Sequence, residues 1–531
     1  MTKTYCFWFK FCCLFNFVSA QQIENAIHWQ SESLLSFQSI DFSANNTFIG
    51  GIFRVAIEQA GINIEAIGKN DVFLAQINEN GEVVWLKAGG SSENDELVKI
   101  VHANNQIYTT GTYWVEGQFG DLQLKTKKGS KGIFLLNYNS QGNILWGISI
   151  DGTASKSISD LVVDHQGNLL LTGSFRDSLF LDERATLFSE RQSSFLAKFD
   201  QNGNLLWTQK ATVLEGNAES IALAVSEENE VVLTGDFIGQ MQIESEIVET
   251  NTEDDNVFIA RFSENGDFLW LRSAGGVFPD EVVDIQCTGD QIYLTGNYFG
   301  RLQMSEDITI ESIGLNENIF LLIYNKNGEA IAAKNLGNVD LERVVSMDIL
   351  GDQIVLGGFF EERMQIGDFV IQGNENELDG FVLNLDKNGN PLWLRALDSD
   401  NNLLVNEVHF RSPKDIQVIG DFIGNAKFDG FQFIASTFNP FFLNIKNPIS
   451  STTQSAQQLI DFQIIHHPEY LEISTSNHIQ SLQIFDLQAK LLQTQYGTNR
   501  ISTTLLHTGI YLLHFQTQNG QRASRLFGKL N

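Results

Sequence analysis

Residues 72–85 read Val-Phe-Leu-Ala-Gln-Ile-Asn-Glu-Asn-Gly-Glu-Val-Val-Trp, which is an apolar segment, a polar turn and a second apolar segment ending in Trp. The pattern recurs at 134–146, 195–207, 258–270, 320–332 and 381–393, although Ala332 replaces the Trp in the fifth copy. The lead Phe returns every 61 to 63 residues. Two short apolar runs around a turn are typical of a β-hairpin, and the fixed period indicates a repeat architecture.

The turn has a constant composition. An Asn, Asp or Ser is followed three residues later by Gly, as in Asn78 with Gly81 and Asp200 with Gly203. An Asx or Ser side chain starts a type I turn, and Gly adopts the left-handed conformation that lets the two strands close. We therefore interpret this loop as a structural turn rather than a calcium loop.

A second repeated strand has a Gly before an aromatic or β-branched end. An example is Ile107-Tyr108-Thr109-Thr110-Gly111-Thr112-Tyr113, and the Gly recurs at intervals of 60 to 62 residues, at positions 51, 111, 173, 235, 296, 358 and 420. With one strand before it and the hairpin after it, each period supplies four antiparallel strands. Seven such units predict an all-β, seven-bladed β-propeller over residues 27–446.

One repeat is divided between the two ends of this region. The last copy keeps the strand 441–445 but lacks the turn and the Trp strand, whereas Ile27-His28-Trp29-Gln30 stands alone near the N-terminus. An N-terminal strand that completes the last blade would leave no unpaired edge where the ring joins. We expect the strand around Trp29 to pair with residues 441–445.

The two ends of the chain differ from the repeat. Residues 1–20 have a basic start, a short apolar run and a small-residue exit, which predicts a signal peptide cleaved between Ala20 and Gln21. Cleavage would leave Cys287 as the single cysteine and exclude an intramolecular disulfide. Residues 447–458 are a polar linker, and residues 459–531 alternate like the strands of a small β-sandwich.

Both parts resemble known families. Segments such as 195–207 and Leu171-Thr172-Gly173-Ser174-Phe175 are similar to bacterial β-propeller repeat proteins with an SBBP-like motif. Residues 459–531 resemble the type IX secretion system sorting domain of Bacteroidetes, through Lys490, Gly509, Ile510, Tyr511 and a basic C-terminal end. The second resemblance implies the type IX secretion machinery as a partner, and a secreted or outer-membrane-surface location in a Gram-negative bacterium.

The charge narrows the classes of partner. The whole chain has 34 Lys and Arg against 65 Asp and Glu, and loss of Lys3 and Lys10 with the signal peptide leaves 32 − 65 = −33. Such a surface repels nucleic acid and anionic lipid. No segment is apolar enough to span a membrane, and we expect a monomer. No cofactor is expected. Calcium is the alternative, because several links between blades are acidic and are expected to lie at one rim of the ring. The acidic residues of these links are Glu93, Asp95, Glu96, Glu215, Glu219, Asp280, Glu281, Asp340, Glu342, Asp398, Asp400 and Glu407.

The function expected from the residues is binding without catalysis. No zinc-type His pair, cysteine pair or Gly-x-Ser-x-Gly elbow occurs. Trp114 and Phe278 have no counterparts in the other repeats, which makes them the candidate contacts for a glycan or protein; local packing is the alternative for each. A polysaccharide-degrading enzyme with a site at the central channel and a structural scaffold of a surface assembly are the alternative functions.

Overall fold

The computed structural model describes residues 22–447, apart from 44–45, 127–128, 184, 251–253, 315 and 338–339, and residues 462–529, apart from 467–469, 476–478, 486–490, 505, 507–508 and 518–521. All regular structure in these residues is β-strand, which confirms the all-β prediction. Two compact units are present, one within residues 20–450 and one within residues 451–531. Each is described separately.

The first unit consists of antiparallel sheets, here called blades, each built on four main strands, and most blades also carry a short additional hairpin. The unit begins with β1 (Ile23–His28), which is the fourth main strand of the last blade. Blade 1 contains β2 (Leu35–Phe42), β3 (Asn46–Phe53), β4 (Ala56–Gln59), β5 (Ile62–Glu65), β6 (Asp71–Asn78) and β7 (Val83–Gly90). Blade 2 contains β8 (Glu96–Ala103), β9 (Gln106–Trp114), β10 (Glu116–Phe119), β11 (Leu122–Lys125), β12 (Lys131–Asn139) and β13 (Ile144–Gly152). Blade 3 contains β14 (Asp160–Val163), β15 (Leu169–Phe180), β16 (Thr186–Phe199) and β17 (Leu205–Lys210).

The remaining four blades follow the same order. Blade 4 contains β18 (Thr212–Val225), β19 (Val231–Ile243), β20 (Glu246–Glu249), β21 (Asn256–Phe262) and β22 (Phe268–Ala274). Blade 5 contains β23 (Asp280–Thr288), β24 (Gln291–Tyr298), β25 (Arg301–Gln303), β26 (Thr309–Glu311), β27 (Asn318–Asn325) and β28 (Ala330–Asn335). Blade 6 contains β29 (Glu342–Leu350), β30 (Gln353–Glu361), β31 (Arg363–Ile366), β32 (Phe369–Gln372), β33 (Leu378–Asp386) and β34 (Pro391–Ser399), and blade 7 contains β35 (Leu403–Ser412), β36 (Asp415–Phe428) and β37 (Phe431–Lys446).

The blades form a closed ring. The innermost strands β2, β8, β14, β18, β23, β29 and β35 contact one another in that order, and β35 also contacts β2. A buried apolar cluster lies between each pair of consecutive blades, including one in which Ile419 and Phe442 of blade 7 join Phe37 and Phe73 of blade 1. Burial of these side chains is the main force that holds the ring together.

The N-terminal strand supplies the outermost strand of blade 7. β1 pairs with β37, with Ile23 opposite Ile445 and His28 opposite Phe441. The register corrects the expected role of Trp29. In blade 1, Trp85 lies opposite Gln76, and the residue of blade 7 equivalent to Gln76 is Asn444. Asn444 lies opposite Asn25, so Asn25 and not Trp29 stands where the other blades have the repeated Trp. Trp29 follows the strand instead and packs on Phe37 and Phe73 of blade 1, with ring centroids 5.0 and 5.7 Å away.

The other repeated Trp residues join consecutive blades. The indole N–H of Trp146 donates to the Gln201 carbonyl in the turn of the next blade at 3.0 Å, and Trp85, Trp207 and Trp270 make the same bond to Ser140, Glu264 and Lys326. Blade 7 has no such turn, because its outermost strand comes from the N-terminus. Trp393 of blade 6 donates there to the Asn447 side-chain oxygen at 3.0 Å.

The variable stretch of each repeat is a second β-hairpin, which projects between the second and third strands of the blade. It is separate in blades 1, 2, 5 and 6, as in β10 with β11, and continuous with the blade strands in blades 3 and 7. In blade 2 it reaches back to the preceding blade, where Gln118 lies opposite Gly90. We call the side of the ring that carries these hairpins and the links between blades the hairpin face.

The second unit has two sheets. β38 (Phe462–His466), β39 (Tyr470–Thr475) and β42 (Arg500–Ser502) form one, and β41 (Leu491–Tyr496), β40 (Ile479–Phe485), β43 (Gly509–Thr517) and β44 (Arg522–Lys529) form the other. A shared apolar cluster includes Leu471 and Ile501 from the first sheet and Leu482 and Leu513 from the second. Two sheets with a common core are a small β-sandwich.

Candidate functional site

The innermost strand of each blade places one equivalent side chain at the central channel. The seven residues are Ser39, Lys99, Asp160, Ala222, Asp284, Ser346 and Glu407. In six blades, all except the one with Asp160, this residue directly follows a β-bulge. A bulge leaves an extra residue unpaired and redirects the neighbouring side chain. The bulges therefore determine which residue of each inner strand faces its neighbours in the ring.

Most of these side chains accept a hydrogen bond from the backbone of the next blade. Asp160 accepts the Leu223 N–H at 2.8 Å, and Glu407 accepts the Ile40 N–H at 2.6 Å across the point where the ring closes. Ser39, Asp284 and Ser346 accept from Ile100, Met347 and Val408 in the same way. An inner strand is an edge strand, so its buried N–H groups need such partners.

Two blades break this pattern and show how it is compensated. Neither Lys99 nor Ala222 offers an acceptor to the following blade. In each case the N–H group that lacks an acceptor from the preceding blade bonds to the carboxylate of the residue before it. Asp160 accepts the Leu161 N–H and Asp284 accepts the Ile285 N–H, both at 2.8 Å. The channel carboxylates therefore have a structural task that explains why acids recur at this position.

Lys99 crosses the channel. Its Nζ lies 2.5 Å from Oε1 of Glu407, so blade 2 is joined to blade 7, which is not its neighbour in the ring. Burial lowers the pKa of the Lys99 ammonium, but attraction to Glu407, Asp160 and Asp284 outweighs burial and leaves the pKa above its ordinary value. Burial raises the pKa of Asp284 to about 7, and Lys99 opposes this rise. The ammonium is the shared counter-ion of three carboxyl groups.

His409 forms a second charged group two residues after Glu407. Its Nδ1 is hydrogen-bonded to Asp348, and its Nε2 lies 3.8 Å from Oδ1 of Asp41. Burial lowers the pKa of His409, but the nearby Asp348 and Asp41 carboxylates outweigh it and raise the pKa to about 9. At neutral pH both His409 and Lys99 are therefore protonated, which makes them counter-ions rather than a base or a nucleophile.

The structure corrects the position of several link acids. Asp95, Asp280 and Glu342 are fully buried at the start of inner strands, and Glu407 lies inside the channel, so these four do not form a solvated rim. The Asp95 carboxylate accepts from the Ser91 hydroxyl at 2.7 Å and holds the link closed. Within the described residues, no group of three or more His, Cys, Asp or Glu side chains has the geometry of a metal site. The calcium alternative stays a prediction.

Exposed apolar side chains are concentrated on the hairpin face. Of the large apolar side chains that are exposed in the described part of residues 22–447, thirteen lie on this face: Val55, Ile67, Trp114, Val115, Phe188, Leu214, Ile247, Val277, Phe278, Ile313, Val370, Ile434 and Phe438. Five others, Val84, Leu145, Leu206, Leu269 and Ile331, lie on outermost strands, and Leu350 alone lies at the opposite face. These thirteen side chains are spread over all seven blades, so they distinguish one face of the ring rather than form a single patch.

The two candidate binding residues lie on this face but not together. Trp114 ends β9 in blade 2, and Phe278 lies in the link between blades 4 and 5. They are 40% and 42% exposed, respectively. The Phe278 ring packs edge-on against Phe299 at 4.8 Å, which fixes one side of the ring and leaves the other to solvent.

Two residues that matter in the channel, Lys99 and His409, were not among the sequence candidates. Aligning the seven repeats on their Gly places Lys99 12 residues before Gly111 and Glu407 13 residues before Gly420. Because the offset from the Gly is 12 residues in some repeats and 13 in others, the equivalence of Lys99 with the Ser, Asp, Ala and Glu residues of the other blades becomes visible only with the strand register of the structure. The pairing of Lys99 with Glu407 across 308 positions of sequence could not be read from that alignment.

The candidate processing and sorting residues are only partly described. Ala20, Gln21 and Lys490 lie outside the described residues. Gly509, Ile510 and Tyr511 begin β43 and lie opposite Lys529, Gly528 and Phe527 of β44. The described part of the sorting motif is therefore the start of a central strand of its sheet.

Comparison with known proteins identifies the class of the tail. Residues 468–528 match the family described as the secretion system C-terminal sorting domain. A tail of this kind implies export through the type IX secretion system and a secreted or cell-surface location. No helix within the described residues is both long and apolar enough to cross a bilayer.

The rest of the chain has distant relatives. An uncharacterized WD repeat-containing protein of Acanthamoeba polyphaga mimivirus is 23% identical over 326 residues, which cover 49% of this chain and 23% of that protein. The regulatory protein FlaEY of Caulobacter vibrioides is 22% identical over 283 residues, covering 49% of this chain and 29% of that protein. The chain thus spans less than a third of the length of either relative.

Similar solved structures include the extracellular domains 1–2 of Drosophila Semaphorin 1b, at a TM-score of 0.41 and 8% identity, covering 89% of this chain and 93% of that one. The phage phi92 endosialidase gives a TM-score of 0.36 at 9% identity, covering 96% and 79%. We draw nothing about activity from likenesses of this degree.

Proposed function

We propose that this protein is a secreted or surface-displayed binding protein that engages a glycan or protein through the hairpin face, without catalysis of its own. The concentration of exposed apolar side chains on that face carries the proposal. The hairpins are also the part of the repeat in which sequences differ most, and functional residues of a rigid scaffold are commonly found in such loops. We further propose that the blades belong with the SBBP-like repeats, whose motif they resemble.

The channel supports this choice over the enzyme alternative. Its carboxylates accept hydrogen bonds from neighbouring backbone, Lys99 is paired with Glu407, and Asp348 and Asp41 raise the pKa of His409 to about 9. A hydrolase needs an acid or base that is free to exchange a proton with substrate. The hydrogen bonds and ion pairs of these groups connect the blades, which favours a site on the hairpin face. Asp284, whose pKa of about 7 is in the range of a general acid or base, is the channel residue on which the enzyme alternative is tested.

The test uses the full secreted chain on glycan and protein arrays, with two matched variants. A face variant combines Trp114→Ser, Phe188→Ser and Phe278→Ser, and an edge variant combines Leu145→Ser, Leu206→Ser and Leu269→Ser, whose side chains are about as exposed but lie on outermost strands. We expect the wild type and the edge variant to bind the same ligand and the face variant to lose at least about tenfold in affinity.

The same preparations are incubated with a panel of polysaccharides, with and without calcium, and assayed for new reducing ends. We expect no turnover. Turnover that Asp284→Asn or Glu407→Gln abolishes would establish the enzyme alternative. Equal loss of binding in the face and edge variants would show that the ligand does not use the hairpin face.

A further inference from the structure

The hairpin face is not uniform in charge. Residues 211–260 contain twelve Asp and Glu and no Lys or Arg, and eight of the eleven acids that the structure describes lie on the hairpin side of blade 4. Near Trp114, by contrast, charges are paired, because Lys131 contacts Glu96 at 2.8 Å and Lys125 contacts Glu116. Two parts of one face therefore differ in their electrostatic balance.

Acids without an ionic partner gather where blades 4 and 5 meet. Glu219 and Asp236 lie opposite each other on neighbouring strands, and Asp255 follows at the start of the next strand. In the part of the chain that the structure describes, none of these three acids forms a salt bridge, although the Gln192 side chain of blade 3 donates to Glu219 and the Val282 N–H donates to Asp236 at 3.0 Å. Arg343, a nearby cation, is already shared between Glu281 and Glu317.

Burial and neighbouring like charge both raise the pKa of these acids. Burial raises the pKa of Asp255, and Glu281 and Asp254 raise it further. Burial also raises the pKa of Glu219, with Asp255 adding to the rise. A partner that brought positive charge would relieve this repulsion.

Apolar surface adjoins the acids. The Gly275–Pro279 link carries Val277 and Phe278 into solvent, and its backbone is tied to the cluster, since the Gly276 N–H donates to Asp280 at 2.8 Å and the Asp280 N–H donates to the Asp255 carbonyl at 3.0 Å. Asp280 is itself fully buried, and its Oδ1 accepts no hydrogen bond. Asp280 is the counterpart of Asp95 in the link before blade 2, and it fixes the Gly275–Pro279 link, and with it Phe278, beside Asp255.

We propose that the junction of blades 4 and 5 on the hairpin face docks a cationic, partly apolar segment of a partner protein, with Phe278 as the apolar anchor and Glu219 and Asp255 as the charged contacts. This rests on the proposed binding function and specifies the chemistry of its ligand. Aromatic anchors surrounded by complementary charge are the usual centre of such an interface. The balanced charges around Trp114 do not select a cationic partner.

The test measures fluorescence anisotropy of a labelled synthetic peptide of alternating Lys and Leu with the full chain. A peptide with Glu in place of Lys is the matched probe. We expect the Lys peptide to bind and its affinity to fall at least about tenfold between about 0.05 M and about 0.5 M NaCl, because screening weakens exposed charge pairs. The Glu peptide should not bind.

Three variants locate the contact. Phe278→Ser should weaken binding of the Lys peptide at least about tenfold, and Trp114→Ser should leave it unchanged. Glu219→Gln with Asp255→Asn should weaken binding and flatten its salt dependence, whereas Glu227→Gln with Glu228→Gln removes the same charge from the opposite face and should do neither. Circular dichroism confirms that each variant is folded.

The outcomes separate this proposal from the proposed function. A ligand that is lost with the face variant but is indifferent to Phe278→Ser and to the Glu219 and Asp255 changes would leave the hairpin face as the binding surface and refute the cationic docking site. Calcium alone, saturating the same acids and abolishing peptide binding, would also refute it by making the cluster a metal site.

Discussion

At the scale of single residues, one position per blade governs the channel. An acceptor at this position satisfies a backbone N–H of the next blade, so Ser, Asp and Glu are interchangeable there. Lys99 is the exception that uses the channel differently, because its ammonium reaches Glu407 of a blade that is not adjacent. We therefore regard the Lys99–Glu407 pair as a latch across the axis.

Replacing Lys99 with Met should lower the free energy of unfolding by about 1–3 kcal/mol, because it leaves Glu407 without its counter-ion in a largely buried position. Urea denaturation measures the change. Lys99→Met combined with Glu407→Gln should recover part of the loss in a double-mutant cycle. The control is Lys69→Met, which removes an exposed pair with Glu93 and should cost less than about 1 kcal/mol. Equal costs for the two lysines would contradict the latch.

His409 should make stability depend on pH. Its folded pKa of about 9 exceeds the unfolded value of about 6.5, so its contribution is fully present below pH 6.5 and is lost as the pH rises through 9. His409→Gln should therefore show a flatter decline of unfolding free energy between about pH 6.5 and about 9 than the wild type, by at most about 1.4 kcal/mol per pH unit. His102, whose pKa burial lowers, is the control, and His102→Gln should not flatten this decline. Parallel wild-type and His409→Gln curves would refute the assignment.

At the scale of elements, the repeated turn does more than reverse the chain. Its Gly has φ +72° at Gly142, and a Cβ there would lie 2.8 Å from the Trp85 ring of the preceding blade. The sequence pattern explains the Gly through turn geometry alone; the structure adds that the Trp of one blade lies on the turn of the next. The Asx–Gly turn and the Trp are therefore two halves of one contact between blades.

Gly142→Ala should accordingly cost more than a turn substitution that meets no neighbour. Gly351 has φ +63° but open space around a Cβ, so Gly351→Ala should cost about 1 kcal/mol from backbone strain. Gly142→Ala should cost about 2–3 kcal/mol, since the same strain is combined with displacement of the Trp85 ring. Thermal unfolding of the two variants gives the comparison. A smaller loss for Gly142→Ala than for Gly351→Ala would show that the Trp–turn contact contributes little.

At the scale of the whole molecule, the features that could be predicted from the sequence are those that recur in every repeat. The Phe and Gly intervals indicate the strands, the turns and the N-terminal completion of the last blade, because each repeat must meet the same packing requirement. A repeat period cannot predict contacts between residues that differ from one repeat to the next, such as Lys99 with Glu407 or His409 with Asp348. It also misplaced Trp29, because composition marked the aromatic residue whereas the register puts Asn25 at the equivalent position.

The last prediction concerns the two units. The members of the seven clusters between blades lie within residues 23–445, so the propeller has its own core, and the tail has a separate one around Leu482. A chain ending at Ser450 should therefore fold with an unchanged unfolding midpoint but remain in the periplasm of a host with the type IX system, because the sorting tail is absent. Surface proteolysis and cell fractionation measure its location. As the converse control, residues 451–531 attached to an unrelated periplasmic protein should carry that protein to the surface. Normal surface amounts of the truncated chain would show that export does not depend on the tail.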